Sequence, residues 1–194
     1  MGPALLNVTL DMNCIIDLEQ GNSNSVFIKR LIQLNKDRKI SLRVVAIGAS
    51  ERMPSGMYAE NFAEFQQKIA AVGLGDAEIL KPVSYLGMSF LDYCVFAGEE
   101  TEKLERRIHE ALFPCIDFEY REFCKRHNLN LDDEIDHRWR NPKCDTLALW
   151  SHIWNHGDVF VTSDNDFHKE SVKPRLIAIG AGRILKPEET VDII

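Results

Sequence analysis

A chain of 194 residues with 45% hydrophobic and 27% charged residues is long enough for one domain with a substantial core. No apolar run approaches the ~20 residues of a membrane-spanning helix, and the N-terminal residues lack the pattern of a signal peptide, so we expect no membrane partner. The net charge of −7 argues against binding nucleic acid through a broadly basic surface, and the odd number of five cysteines favours free thiols and a cytoplasmic location.

Strands and amphipathic helices alternate in the first part of the chain. Short apolar runs rich in β-branched residues are typical of buried strands, whereas apolar residues at intervals of three and four are typical of helices. These criteria predict the strands Leu5–Leu10, Ile40–Ile47 and Ala77–Leu80 and the helices Ser23–Asp37 and Glu60–Val72.

The middle of the chain, at about 83–140, is predicted to be a mainly helical insertion within one domain that spans 1–194. Apolar residues recur at helical intervals through Thr101–Phe113. Leu129–Arg140 is polar, and we expect it to be a loop with at most a short helix. Asn141-Pro142 combines a capping residue with proline at the first helical position, which predicts that a long helix begins there.

The last part of the chain contains the stretch Asp158–Phe167, which reads DVFVTSDNDF. Its short apolar run predicts a buried strand, and Asp164 and Asp166 follow that run directly. Leu176–Ile179 predicts the next strand, and a further helix starts near Pro187. Strands that alternate with helices predict an α/β fold with one central parallel sheet, flanked by helices on both faces.

Acidic residues follow several of the predicted strands. Asp11 ends the first strand, and Glu51 comes shortly after the second. Asp164 and Asp166 follow the strand near residue 160, and Asp145 lies near the predicted start of the helix that leads into it. Ligands bind beyond the carboxyl ends of parallel strands, and a helix antiparallel to them begins at the same edge. We therefore expect these carboxylates to converge there.

Carboxylates crowded at one edge repel one another, and some of their pKa values rise. Mg²⁺ or Mn²⁺ would relieve this repulsion, because hard divalent cations prefer oxygen ligands and also bind substrate phosphate oxygens. Such an ion polarises a phosphodiester and lowers the pKa of a bound water, and two ions about 3.5–4 Å apart would hold the entering and leaving oxygens. The predicted cofactor is therefore one or two ions of Mg²⁺ or Mn²⁺.

The order and spacing of these motifs resemble the PIN-domain nucleases. In that family, an N-terminal strand ends in Asp followed by a hydroxyl residue and then Asn or Ser. A Glu and a late helical Asp come next, and a final strand leads to Thr-x-Asp-x-Asp-Phe. The matching positions, within about Leu5 to Ile179, are Asp11-Met12-Asn13, Glu51, Asp145 in KCDTLALW, and Thr162–Phe167. Met12 departs from the pattern, because it replaces the hydroxyl residue.

The resemblance implies a metal-dependent endoribonuclease that hydrolyses RNA phosphodiester bonds. It implies RNA as a partner and allows an antitoxin, another protein or a second copy of the chain; a toxin and an RNA-processing factor fit equally well. The residues to which it assigns roles are Asp11, Glu51, Asp145 and Asp164 as catalytic metal ligands, Asp166 as an alternate ligand or an acid that supports a ligand, and Asn13 and Thr162 in orienting the acids or the substrate.

A basic cluster leads into the helix that carries Asp145. Arg138, Arg140 and Lys143 lie at the end of an otherwise acidic insertion, so they are the part of it most suited to contact RNA. Trp139, between two of these residues, is a candidate for stacking on a base.

Taken singly, these acids have simpler interpretations. Asp164 and Asp166 fit turn or capping positions, Asp145 fits a first helical turn, and Asp17 fits a solvated helix face. The nuclease hypothesis therefore depends on their joint arrangement. A catalytically weak or inactive PIN-like module that binds RNA or a protein is the alternative, and Met12 favours it. A phosphatase of another α/β class is disfavoured, because the turn after the first strand lacks a second Asp.

Overall fold

The computed structural model describes residues 5–47 and 61–194, and these form a five-stranded sheet in which all strands are parallel. The strands are β1 (Leu6–Leu10), β2 (Ile40–Val45), β3 (Glu78–Leu80), β4 (Val159–Val161) and β5 (Arg183–Leu185). They lie in the order β3-β2-β1-β4-β5, with β1 at the centre. The predicted α/β fold with a central parallel sheet is confirmed.

Helices connect the strands throughout the described residues. Within that part of the chain, no helix has both the length and the hydropathy that crossing a membrane requires. The helices are α1 (Met12–Gln20), α2 (Ser25–Lys36), α3 (Phe62–Ile69), α4 (Glu99–Leu112), α5 (Tyr120–His127), α6 (His137–Trp154), α7 (Asn165–His168), α8 (Lys173–Ile179) and α9 (Pro187–Asp192).

Helices cover both faces of the sheet, and alternate residues of each strand point to opposite sides. Val159 and Val161 pack into a core with α1, α2 and α3, whereas Phe160 packs into a second core with α4, α5, α6 and α8. The result is three layers with the sheet in the middle. Its carboxyl edge lies between the two helical layers.

The predicted insertion contributes directly to the second core. α4 and α5 lie within 83–140, and α4 packs against both α6 and α8. Ile108 of α4 is fully buried, and the indole Nε1 of Trp150 on α6 donates to the carbonyl of Thr101 at 3.1 Å. The segment is therefore part of a helical layer.

The prediction of a strand at Leu176–Ile179 is wrong, because these residues form the end of α8. A run of four apolar residues fits a buried helix turn as well as a strand. Gly180, in the left-handed conformation with a φ of 118°, ends the helix, and the strand comes later, at Arg183–Leu185.

The predicted start of the long helix at Asn141-Pro142 is also wrong. α6 begins at His137, because the Asp136 side chain accepts the N–H of Arg138 at 2.8 Å and caps the first turn. Pro142 then lies in the second turn of the helix. Burial of Trp139, whose indole Nε1 donates to the carbonyl of Asp117 at 2.8 Å, anchors the turn before it.

Candidate functional site

Asp11 lies directly after the central strand, and only 2% of it is exposed. Its backbone N–H donates to the carbonyl of Val161 at 2.9 Å, which continues the pairing of β1 with β4 by one residue. Its Oδ1 accepts the N–H of Met12 at 2.7 Å and so caps α1. The strand-to-helix turn therefore fixes the direction in which the carboxylate points.

Thr162 lies in the loop after β4 and links this loop to Asp11 through hydrogen bonds. Its Oγ1 donates to Asp11 Oδ2 at 2.7 Å and accepts from Asn13 Nδ2 and from the N–H of Asp164, both at 3.0 Å. A hydroxyl has one proton and two acceptor positions, so these three bonds saturate it. Asn13 Nδ2 also donates to Asp11 Oδ2, at 2.9 Å. The predicted group of Asp11, Asn13, Thr162 and Asp164 is thus brought together.

The environment of Asp11 disfavours its charge. Burial, with a smaller contribution from the nearby carboxylate of Asp164, raises the pKa of Asp11 from 3.8 to about 6. Hydrogen bonds from Thr162, Met12 and Asn13 oppose this rise only in part. A cation at this position would favour the ionised form and remove the penalty.

Asp164 and Asp166 differ in their surroundings. Asp164 caps α7, with its Oδ1 accepting the N–H of Asp166 at 2.8 Å. Asp166 forms an ion pair with Lys169 at 2.6 Å. The Asp166 charge is therefore balanced within its own turn, whereas the Asp164 charge acts on Asp11.

Cys14 lies beside these acids and is not a nucleophile. It is fully buried, and its Sγ donates to the carbonyl of Val161 at 3.4 Å. Burial, together with the Asp11 and Asp17 carboxylates, raises the pKa of the Cys14 thiol well above its usual value. The thiol therefore stays protonated, and a thiolate is the form that attacks.

Sequence reasoning missed three residues next to Thr162. A hydrogen-bonded cluster is formed by Asp17, Asn24 and Ser163, in which Asp17 and Asn24 bond to each other and both bond to the Ser163 hydroxyl. The sequence did contain one indication of this cluster: Asn13 and Asp17 are four residues apart, which places both on one face of a helix. The loop partner could not be identified before the sheet order was known.

The prediction that Asp145 lies in the first turn of its helix or just after it is wrong. Because α6 begins at His137, Asp145 lies in the third turn. The favourable effect of the helix dipole therefore does not apply to it. One turn further along, Ala148 lines a small pocket together with Asp11 and Val45. The middle of α6 thus passes the carboxyl edge at β1 and β2, and Asp145 lies on that part of the helix.

The basic cluster at the start of α6 is mostly buried, contrary to a role as an RNA-binding surface. Lys143 is 2% exposed and forms an ion pair with Glu105, so it has no surface to offer a substrate. Arg140 is 7% exposed and Trp139 only 1%. Because both side chains are buried, neither presents a surface that RNA could contact.

Arg138 is the exposed member of the cluster, but it is engaged with the helix cap. Its guanidinium donates twice to Asp136, with Nη2 to Oδ2 at 2.7 Å and Nε to Oδ1 at 3.0 Å. These bonds lower the pKa of Asp136 to about 2. A phosphate would have to compete with this carboxylate for the same donors.

Glu51 lies outside the described residues, so its predicted position next to the second strand stays a prediction. Among residues 5–47 and 61–194, no three His, Cys, Asp or Glu side chains lie close enough together to hold one metal ion. Asp11 and Asp164 are linked at the carboxyl edge through the hydroxyl of Thr162.

The position of this pair follows from the order of the strands. The chain adds β2 and β3 on one side of β1 and then crosses to add β4 and β5 on the other. In open parallel sheets, ligands bind outside the carboxyl ends at the point where the order reverses, which here lies between β1 and β4. The turn after β1 lacks a glycine-rich phosphate loop, since the next glycine after Asp11 is Gly21.

This edge of the sheet therefore presents a buried carboxylate, a second carboxylate and a saturated hydroxyl network at the position where such folds bind ligands. Comparison of the sequence with protein-family models and with curated proteins found no match in either.

Proposed function

We propose that this protein is an endoribonuclease that depends on Mg²⁺ or Mn²⁺ and binds the metal at the carboxyl edge through Asp11 and Asp164. The observation that carries the proposal is that these two acids follow the two strands at the reversal of strand order and share the Thr162 hydroxyl as a link. The resemblance of the acid motifs to PIN-domain nucleases supports RNA as the substrate.

Two carboxylates are compatible with such a metal. Mg²⁺ keeps several waters and is bound through one or two carboxylates together with substrate phosphate oxygens. The buried Asp11 supplies a carboxylate whose charge has little solvent to stabilise it, which favours a bound cation. Glu51 and Asp145 are the further ligands of this proposal, with Asp166 as an alternate ligand.

The residues around Asp11 would hold its carboxylate in one orientation. Thr162 and Asn13 both donate to Oδ2, and the N–H of Met12 donates to Oδ1. The apolar Met12 side chain lines the pocket beside Asp11. When bound, the ion would polarise the phosphodiester and lower the pKa of a water molecule.

Cleavage of RNA by the full chain tests the proposal. We expect the wild type to cut a single-stranded RNA with Mn²⁺ or Mg²⁺ and not with EDTA. Asp11→Asn and Asp164→Asn should each reduce the rate roughly 100-fold or more, as when a charged group that stabilises a transition state is removed. Asp37→Asn is the matched control, because this exposed residue bonds to Gln33 at the far end of α2.

Two results would contradict the proposal. Equal cleavage by the wild type and by both site variants would identify a contaminating nuclease or another site. Absence of cleavage by the wild type with either metal, on both single-stranded and structured RNA, would reject the enzymatic function. RNA binding without cleavage would then favour the alternative of an inactive RNA-binding module.

A further inference from the structure

The start of α2 and one face of α1 contact the loop after β4 through polar side chains. Asn13 and Asp17 lie four residues apart on α1, so they share a face. Asn13 Oδ1 accepts the backbone N–H of Ser163 at 3.1 Å, and its Nδ2 donates to Thr162 Oγ1 at 3.0 Å. The loop is therefore held at its main chain by Asn13.

Asp17 and Asn24 hold the Ser163 side chain. The Ser163 hydroxyl accepts from Asn24 Nδ2 at 3.0 Å and donates to Asp17 Oδ2 at 3.4 Å. Asn24 Nδ2 also donates to Asp17 Oδ2, and Asn22 Nδ2 donates to Asp17 Oδ1, both at 2.8 Å. We call Asp17, Asn24 and Ser163 the serine clamp.

The serine clamp holds the residue that lies between Thr162 and Asp164 in the loop after β4. Ser163 is flanked by Thr162, whose hydroxyl donates to Asp11, and by Asp164, whose N–H donates to that hydroxyl. Because the Asp164 N–H and Asn13 occupy both acceptor positions of Thr162 Oγ1, the hydroxyl proton points to Asp11. A shift of Ser163 would displace the Asp164 N–H and release the hydroxyl.

The serine clamp contains one charged group. The Asp17 carboxylate accepts from the Ser163 hydroxyl, and its charge acts on the adjacent Cys14. A carboxylate accepts hydrogen bonds more strongly than a neutral amide does, so Asp17 holds the Asn24 amide and the Ser163 hydroxyl more firmly than an asparagine would.

We propose that Asp17 and Asn24 are positioning residues that, through Ser163, set the relative placement of Asp11 and Asp164 for metal binding. This inference rests on the proposed nuclease function for its consequence, but the contacts of the clamp are independent of that function. Removing the clamp should loosen the loop after β4 and weaken metal binding while leaving the two cores in place.

A reciprocal exchange tests this role. Asp17→Asn removes the charged acceptor, and Asn24→Asp places two carboxylates opposite each other, so each single variant should disrupt the clamp. The double variant Asp17→Asn/Asn24→Asp restores a donor opposite an acceptor with the partners exchanged. Such a cycle isolates the interaction between the two residues. Asp37→Asn is again the control, because Asp37 follows the far end of α2 from Asn24.

Amide hydrogen exchange in the metal-free protein is the first measurement. We expect the N–H groups of Ser163, Asp164 and Asp166 to exchange about 10-fold faster in each single variant and to return to within about twofold of wild type in the double variant. The second measurement is the Mn²⁺ concentration that gives half-maximal cleavage. It should rise about 5- to 10-fold in the single variants and recover in the double variant.

The outcomes separate the two proposals. Unchanged exchange at all three amides in the single variants would overturn the clamp. Faster exchange and a lower melting temperature with an unchanged Mn²⁺ requirement would mean that the clamp is structural only, which also overturns a positioning role. A wild type that neither cleaves RNA nor binds Mn²⁺ would reject the proposed function and the role of the clamp in metal binding. Slow exchange restored in the double variant would in that case still support the ordering of the loop by the clamp.

Discussion

Burial shifts the pKa values of two residues in opposite directions. Burial raises the pKa of Asp11 to about 6 and lowers that of His152 to about 4. The His152 ring is fully buried, with Nε2 donating to the carbonyl of Ala181 at 3.0 Å and Nδ1 accepting from the hydroxyl of Thr9 at 2.8 Å. It serves the core as a neutral group.

The signs of these two effects on stability differ. At pH values of about 4 to 6, folded Asp11 keeps a proton that the unfolded chain has released, so stability falls as the pH rises through this range. From pH 6.5 down to about 4, the unfolded chain protonates His152 and the folded protein does not, so stability falls as the pH decreases. The two contributions oppose each other over most of this range.

Removal of the Asp11 charge should therefore uncover a pH dependence. A shift of about two pKa units corresponds to about 3 kcal/mol. From pH 4 to pH 7, we expect the free energy of unfolding of Asp11→Asn, relative to wild type, to increase by up to that amount. Urea unfolding in EDTA at four pH values measures it. A constant difference between variant and wild type, like that expected for the Asp37→Asn control, would contradict the raised pKa.

At the scale of the elements, α4 and α6 are joined by a buried ion pair. Glu105 on α4 contacts Lys143 on α6, and the Lys143 Nζ lies 4.1 Å from the ring centre of Phe118 and 4.8 Å from that of Tyr85. Burial raises the pKa of Glu105, and the attraction of Lys143 offsets this only in part. Desolvation is thus a large part of the balance in this pair.

Loss of one partner should cost more than loss of both. Glu105→Leu leaves the Lys143 charge buried without a counter-ion and should lower the free energy of unfolding by roughly 3–5 kcal/mol. The double variant Glu105→Leu/Lys143→Met should recover most of this loss, since an apolar pair of similar volume needs no desolvation of charge. Urea unfolding of the wild type, the single variant and the double variant measures both differences.

The exposed pair Glu102–Arg106 on the same helix provides the control, and Glu102→Leu should change stability by less than about 0.5 kcal/mol. A double variant as unstable as the single variant would mean that packing at this position, and not the charge, determines the loss.

Sequence patterns predicted most of the strands and longer helices. They failed where two local features of the sequence favour different boundaries or different kinds of secondary structure. Asn141-Pro142 is a strong start signal, but Asp136 supplies a cap earlier and Trp139 is buried, so tertiary packing moved the start of α6. Leu176–Ile179 is too short for its period to distinguish strand from helix. Gly180 was the better guide there, because its positive φ ends a helix.

At the scale of the whole molecule, metal binding should appear as added stability. A ligand that binds only the folded state at 100 times its Kd adds about 2.7 kcal/mol, which is about 5–10 °C in Tm for a protein of this size. We expect Mn²⁺ to raise the Tm of wild type by this order and Asp164→Asn to blunt the shift. Ca²⁺ and Na⁺ at matched ionic strength are the controls. An unchanged Tm with Mn²⁺ would count against a metal site.

The acids at strand ends could be predicted because a parallel sheet gathers them at one edge whatever the loops do. That reasoning placed Asp11 and Asp164 together, as the structure does through Thr162. It failed for Lys143 and Arg140, because a sequence cannot distinguish a basic patch from cations buried against a helical layer. It also missed Asp17, whose partner Ser163 is 146 residues away in the chain.

The contact between Thr162 and Asp11 spans 151 residues, and β1 has no β4 beside it until Val159–Val161 has been synthesised. During translation, Asp11 emerges 151 residues before Thr162, so the surroundings of its carboxylate are completed only after β4 has been made. A ribosome-bound fragment that stops before β4 therefore carries half of this edge. A ligand that needs both sides of the edge finds them joined only once β4 has emerged from the ribosome.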